Sequence, residues 1–160
     1  MFRWSREHSV EVNLPIRKVW DFYITPGNWP KWMDQLESCT FEGELQVGTI
    51  IKAKVKNRNA HIQITMTELK LHGEYGILIK VPFFIQESSD VFREISPEKT
   101  LVITKTSITS LLAPIMKLYF NKKNKQGNLQ CLKALLEMVK NESQCKISNT
   151  CLAPKIIILE

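Results

Sequence analysis

The sequence feature that most restricts the fold is the stretch Val19–Met33, which reads VWDFYITPGNWPKWM and holds three of the four tryptophans. A helix is predicted to enter it, because apolar residues recur with the spacing of one helix face. Pro15 suits the first turn of this helix, where a missing N–H costs nothing. Residues 25–28 (TPGN) then break the helix, and residues 29–33 predict a second, shorter helical turn. The residues of the first helix face are Ile16, Val19, Trp20 and Tyr23.

Seven strands are predicted around these two helices from alternation of apolar and polar residues and from turn residues between them. Five of them follow one another with short turns, which predicts an antiparallel meander with one apolar face to cover. Residues 110–140 carry apolar residues at helical spacing, so a long C-terminal helix is expected to cover that face. The predicted strands are 7–13, 36–41, 49–56, 61–69, 75–81, 83–95 and 101–108.

The opening stretch resembles the signature of the START/Bet v 1-like (SRPBCC) superfamily, in the polyketide cyclase/dehydrase and lipid-transport group. In that family a P-x-x-x-V-W-x-[FL] helix precedes a D-P-x-x-[WY]-P-x-W turn; Thr25 stands where the family often has Asp. The resemblance covers roughly residues 5–142 and implies an α+β helix-grip fold. This fold is a curved seven-stranded antiparallel sheet with two short helices after the first strand and a long C-terminal helix over a cavity. The matching positions are Pro15, Val19, Trp20, Phe22, Pro26, Trp29, Pro30 and Trp32.

Length and composition predict one globular domain. The 160 residues are 44% hydrophobic and 24% charged, which is ordinary for a chain that buries its own core. The domain is predicted at 1–142, followed by a disordered or loosely docked tail at 143–160. An added edge strand and an apolar tail over the cavity mouth are the alternatives for that tail. No apolar run is long enough for a transmembrane helix, and no signal-peptide core precedes the first strand, so a cytoplasmic location is predicted.

Motifs for several enzyme classes are missing from the sequence. It has no glycine-rich phosphate loop and no G-x-S-x-G nucleophile turn. His8, His61 and His72 lie far apart, and the four cysteines have no metal-ligand spacing. We therefore predict neither a metal site nor a cofactor.

The sixth predicted strand carries the polar run Gln86–Asp90 between apolar residues, and two parities are open. We favour the parity that turns Phe84 and Phe92 inward, because large aromatic side chains are costly to leave in water. A carboxylate in an apolar cavity has a raised pKa and can act as an acid or base. A solvated, twisted edge strand is the alternative. The first parity brings Gln86, Ser88 and Asp90 inward, and the second brings Ile85, Glu87, Ser89 and Val91 inward.

The leading hypothesis is binding of a small hydrophobic or amphipathic ligand, lipid-, polyketide- or isoprenoid-like, between the sheet and the long helix. Apolar residues would supply affinity and a few polar groups would orient the ligand. In the family the Trp29–Trp32 region borders the cavity entrance, so both tryptophans are candidate contacts. The other predicted contacts are Ile62, Ile64, Met66, Ile77, Ile79, Phe84, Ser88, Asp90, Phe92, Thr104, Thr106, Met116 and Tyr119.

Two other functions are carried as alternatives. One is a metal-independent cyclase/dehydrase-type enzyme, with Asp90 or Glu87 as the general acid–base. The other is a protein- or ribosome-interaction module. The net charge of +6 permits contact with RNA, an acidic protein or an anionic membrane surface, whereas DNA is not a predicted partner.

Overall fold

An antiparallel sheet of eight strands organises the described part of this computed structural model, which comprises residues 1–110, Glu137 and residues 157–159. The spatial order is β2-β3-β4-β5-β6-β7-β1-β8, so the meander β2–β7 is continued by the first strand. Helix α1 (Ile16–Ile24) and a 3-10 helix (Pro26–Lys31) connect β1 to β2. The strands are β1 Phe2–Val12, β2 Leu36–Thr40, β3 Ile50–Val55, β4 His61–Lys70, β5 Glu74–Val81, β6 Phe84–Ser96, β7 Lys99–Ser110 and β8 Ile157–Leu159.

The seven predicted strands are confirmed, with the largest difference at β1. This strand begins at Phe2 rather than at residue 7 and pairs with β7 along its whole length, from Phe2 opposite Ser110 to Val12 opposite Thr100. The first part of the strand was not predicted because it contains the charged residues Arg3 and Arg6. This part of the strand is stabilised by hydrogen bonds to a partner about 100 residues away, which the local sequence does not predict.

The turn that follows α1 caps the helix, which explains why polar and tryptophan side chains follow the helix end in the sequence. The last carbonyls of a helix have no partner within the helix and must find donors elsewhere. Here side chains of the turn supply them, so the turn is fixed to the helix end by hydrogen bonds. Thr25 Oγ1 donates to the Asp21 carbonyl (2.6 Å), Asn28 Nδ2 to that of Phe22 (3.3 Å) and Trp29 Nε1 to that of Tyr23 (2.8 Å).

The core lies between α1 and one face of the sheet, which we call the inner face. The predicted alternation of β3 is confirmed, because Ile51 and Ala53 are buried while Lys52 is exposed. Helix α1 contributes four buried side chains to the same core. The sheet is curved. The buried residues of α1 are Val19, Trp20, Phe22 and Tyr23.

The C-terminal part of the chain is described at two places only. Residues 157–159 form β8, which pairs with residues 9–11 at the edge of the sheet, as one alternative for the tail proposed. The predicted helix at 110–140, with Met116 and Tyr119, lies outside the described residues apart from Glu137, which is helical, and Ser110, which ends β7. The domain boundary at 142 stays a prediction. Within the described ranges, no helix is both long and apolar enough to cross a membrane.

Candidate functional site

An aromatic cluster closes one end of the inner face. We use this name for Trp20, Tyr23, Tyr75 and Phe92. Phe92 is at its centre: its ring lies 5.3 Å from both Trp20 and Tyr23 in edge-to-face contacts and 6.2 Å from Tyr75 in a stacked contact. Edge-to-face and offset-stacked rings at these separations are favourable beyond the area they bury. The cluster therefore fixes α1 against β5 and β6.

Asp90 lies next to this cluster and is buried. It is two residues before Phe92 on β6, so both side chains point to the inner face, and Asp90 is only 5% exposed. Its cross-strand neighbours are Tyr75 on β5 and Thr104 on β7. Thr104 Oγ1 donates a hydrogen bond to Asp90 Oδ1, and Tyr75 donates a second bond to the carboxylate. The carboxylate is thus held in the middle of a row that crosses three strands.

Burial raises the pKa of Asp90 from its usual 3.8 to about 6. The cause is loss of solvation of the charged form, and the hydrogen bonds from Thr104 and Tyr75 oppose it only in part. At neutral pH the group is mostly ionised but lies close to its protonated form. A carboxyl group with such a pKa can accept hydrogen bonds from a ligand or exchange a proton with one.

More polar side chains continue from Asp90 along the inner face, and we call the set the polar strip. His8 lies opposite Thr104, and Arg6 lies opposite Thr106, both across the β1–β7 pair. The hydroxyl groups of Ser88 and Thr106 are 3.4 Å apart, and Gln86 Nε2 donates to Ser88 Oγ at 3.4 Å. These contacts join β1, β6 and β7. The polar strip consists of Arg6, His8, Gln86, Ser88, Asp90, Thr104 and Thr106.

An apolar wall lies beside the polar strip in the same cross-strand rows. Ile77 faces Ser88 across β5 and β6, and Met66 faces Ile77 across β4 and β5. In the next row Gln86 lies opposite Ile79, and Ile79 lies opposite Ile64. Ile64, Met66 and Ile77 are buried, whereas Ile62 and Ile79 are half-buried and pack against the core. The inner face is therefore amphipathic, apolar on β4 and β5 and polar on β6, β7 and β1.

The two tryptophans predicted at the entrance have different surroundings. Trp29 is 0% exposed, and its indole N–H is bonded to the Tyr23 carbonyl, so it is a core residue. Trp32 is half-buried and lies 5.8 Å from the Tyr23 ring. Its Nε1 is buried but has no acceptor among the described residues. Of the two, only Trp32 has an indole N–H without an acceptor among the described residues.

The structure separates the two candidate acid–bases. Glu87 is exposed on the outer face, where it forms an ion pair with Arg3 at 3.2 Å, whereas Asp90 is buried on the inner face. β6 thus has the favoured parity at Asp90 and Phe92, with Ser88 half-buried and Phe84 half-buried at the far end of the strand. Glu87 is therefore not part of the candidate site. Met116 and Tyr119 lie outside the described residues.

Sequence reasoning missed three members of the site: Arg6, His8 and Tyr75. Tyr75 could have been found, because it shares the inward parity of Ile77 and Ile79 on β5. The positions of Arg6 and His8 depend on the register of β1 against β7, which no local pattern contains. No group of three His, Cys, Asp or Glu side chains suited to a metal occurs in the described ranges.

Three solved structures show what this fold is similar to. Zhui aromatase/cyclase from Streptomyces sp. R1128 matches with a TM-score of 0.67 and 12% identity, over 89% of this chain and 96% of that chain. Truncated norcoclaurine synthase from Thalictrum flavum matches with a TM-score of 0.64 and 13% identity, over 85% and 95%. The di-domain aromatase/cyclase BexL from the BE-7585A pathway matches with 0.64 and 12%, over 83% and 48%. At these identities the similarity shows the fold alone, and the predicted helix-grip fold is confirmed.

The sequence comparisons agree with the predicted resemblance. No match was found among curated protein sequences. The family model described as polyketide cyclase/dehydrase and lipid transport matches residues 3–137, which is most of the 160-residue chain. The resemblance at the opening stretch is confirmed: this chain belongs to the polyketide cyclase/dehydrase and lipid-transport family.

Proposed function

We propose that this protein binds a small amphipathic molecule on the inner face, with its apolar part on the wall and a polar group at Asp90. The observation that carries the proposal is the buried Asp90 carboxylate in a row of hydroxyl groups beside Ile77 and Met66. The family description names both cyclase/dehydrase activity and lipid transport, and both require a site for a largely apolar molecule. Such sites combine apolar walls with a few orienting polar groups.

The chemistry of the strip indicates which ligand group fits Asp90. An ionised carboxylate accepts hydrogen bonds and donates none. Thr104 and Tyr75 already donate to it, and the ligand would add a third donor such as an alcohol or phenol hydroxyl. The indole N–H of Trp32 is a second point of attachment, because a ligand oxygen would supply the acceptor that it lacks among the described residues.

A pair of probes tests this anchoring. Naphthol and naphthalene have the same aromatic skeleton, and only naphthol has a hydroxyl to donate to Asp90. We expect naphthol to bind more tightly, and Asp90→Asn to weaken naphthol binding by about tenfold or more while leaving naphthalene unchanged, as loss of a hydrogen bond to a charged group implies. Calorimetric titration measures both affinities.

The matched control is Glu87→Gln on the outer face of the same strand, which should bind both probes like the parent protein. Equal effects of the two substitutions would show that Asp90 is not an anchor. Native mass spectrometry of the purified protein adds an independent check. A protein that neither retains a small molecule nor takes up either probe would refute the proposal.

The pKa of Asp90 favours a second function, metal-independent proton transfer of the cyclase/dehydrase kind. A carboxyl with a pKa of about 6 can take a proton from a carbon next to a carbonyl and return it during one reaction. The test is deuterium incorporation into benzoylacetone in heavy water. The exchange rate should rise with pH through about 6 and be lost in Asp90→Asn but not in Glu87→Gln. If the probes bind but deuterium exchange does not depend on Asp90, the proton-transfer function is refuted and ligand binding alone is supported.

A further inference from the structure

The β5–β6 hairpin ends in an unusual loop. Val81 pairs with Phe84, so Pro82 and Phe83 alone connect the two strands. Phe83 has φ +63°, in the left-handed region that residues with a Cβ avoid. Positions of this kind in short hairpin loops are normally taken by Gly or Asn. A bulky aromatic residue at this position is unfavourable for the loop itself, so local turn formation does not explain it.

Phe83 is one of several exposed apolar residues at this end of the sheet, which we call the tip patch. Phe83 is 70% exposed and Phe2 is 60% exposed. The two are brought to one end of the sheet because Phe2 and Phe84 both lie opposite Ser110. An open cavity of about 430 Å³ lies beneath the patch, between Lys80 and Ile85. The tip patch consists of Met1, Phe2, Val81, Pro82 and Phe83.

Two cationic side chains of the described residues, Lys80 and Arg3, lie next to the tip patch. In the row next to the last one, Lys80 lies opposite Ile85, Ile85 opposite Thr109 and Thr109 opposite Arg3. This row therefore carries a basic residue on each of its two outer strands, β5 and β1. Lys80 is exposed, while Arg3 is also paired with Glu87. The whole chain has a net charge of +6. A negatively charged partner therefore fits this end of the sheet better than a neutral one.

The size and composition of the tip patch favour a lipid surface over a protein. A stable protein interface takes about 20–30 residues on each side, far more than this hairpin end offers. A hairpin end with exposed aromatic and aliphatic side chains beside a lysine instead fits the boundary between headgroups and acyl chains. There the apolar groups insert and the basic group meets lipid phosphates.

We propose that the tip patch docks this protein onto anionic membranes, inserting Phe83 and its apolar neighbours and placing Lys80 against the headgroups. The proposal goes beyond the ligand site and does not depend on it. The tip patch and the ligand site are nevertheless connected through β6. Inward positions of β6 run from Phe84 at the tip to Asp90, about 20 Å at the rise of a strand. A docked tip would bring this end of the inner face to the bilayer.

Sedimentation with vesicles tests the docking. The full chain should bind vesicles of phosphatidylcholine with phosphatidylserine more strongly than vesicles of phosphatidylcholine alone. Phe83→Asn should lower partitioning by about tenfold, because one large apolar side chain no longer leaves water. Asn tolerates the left-handed conformation, so this variant keeps the hairpin. Lys80→Gln should lower partitioning about fivefold on the anionic vesicles only.

Leu71→Asn is the matched control. Leu71 is 78% exposed and lies in the β4–β5 turn, at the opposite end of β5. This variant should bind vesicles like the parent protein. Equal losses for Leu71→Asn and Phe83→Asn, or no binding by the parent chain, would overturn the proposal. Self-association that is lost in Phe83→Asn, without vesicle binding, would also overturn it by identifying a second copy as the partner. Phe83→Asn should retain naphthol binding, so failure of docking and failure of the ligand site are distinguishable.

Discussion

The two ends of the inner face differ in how well their residues are hydrogen-bonded, buried and placed in favourable backbone conformations. At the closed end, the turn after α1 donates side-chain hydrogen bonds to helix carbonyls, and Trp29 is fully buried. At the tip end, Phe83 has a positive φ and is largely exposed. Substitutions at the closed end should therefore reduce stability, whereas those at the tip should affect what the protein contacts. Asp90 lies between the two ends and combines burial with an incompletely compensated charge.

The largest effect is expected at the closed end, from Trp29→Ala. This substitution leaves a cavity of indole size and removes the donor to the Tyr23 carbonyl. Loss of a buried aromatic side chain costs about 3–5 kcal/mol of unfolding free energy. Urea denaturation measures it, with Phe83→Ala as the comparison. Similar losses for the two variants would remove the distinction between the two ends.

Asp90→Asn should change the pH dependence of stability. The pKa of Asp90 is raised from 3.8 to about 6 on folding, so the folded state binds the proton more tightly. The protonated form is present in both states below pH 3.8, and stability then falls as the pH rises to about 6. The fall attributable to this group is about 3 kcal/mol and remains at higher pH.

The quantity to measure is the difference in unfolding free energy between the parent protein and Asp90→Asn as a function of pH. Subtraction removes the contributions of other carboxyl groups, including Glu74, whose pKa is lowered by Lys70. The variant should gain relative to the parent as the pH rises from about 4 to 6. A constant difference would show that Asp90 titrates normally. If Asp90→Asn is more stable than the parent protein at neutral pH but binds naphthol less tightly, then Asp90 lowers stability and is needed for ligand binding.

The closed end could be predicted from the sequence because its interactions are local. The helix face, the break at 25–28 and the tryptophans lie within one short segment, and the strands of the meander follow from alternation and turns. The polar strip was predicted only where one strand carries it. Ser88 and Asp90 could be identified on β6, with Thr104 and Thr106 on β7. Arg6 and His8 join them through a pairing of the chain's first and last long strands, which local periodicity does not encode.

The tip patch was not predicted for a different reason. Pro82 predicts the end of a strand, but nothing in the dipeptide Pro82–Phe83 predicts a positive φ at Phe83. Turn statistics would instead place Gly or Asn there. Only the geometry shows that an exposed aromatic residue occupies an unfavourable backbone conformation. Residues that break a local rule in this way are good candidates for function.

A matched pair of conservative substitutions sharpens the comparison at the two tryptophans. Trp29→Phe should lower the unfolding free energy by about 1–3 kcal/mol, because the buried Tyr23 carbonyl loses its donor. Trp32→Phe removes an N–H that has no acceptor among the described residues, so it should be neutral or stabilising. Urea denaturation of both variants without ligand provides the test. A loss at Trp32 as large as that at Trp29 would indicate that its N–H is bonded in the free protein.

The smallest effect is expected at the tip, where Phe83→Asn should leave stability unchanged or raise it by about 0.5–1 kcal/mol. Asn adopts the left-handed region more readily than Phe, and the exposed ring contributes little burial in the free protein. Leu71 is similarly exposed but lies in the other turn, and Leu71→Asn should leave stability unchanged. A clear loss in Phe83→Asn would mean that the ring packs onto the hairpin and supports the fold. Unchanged or higher stability combined with weaker vesicle binding would show that the strained tip serves contact with the membrane.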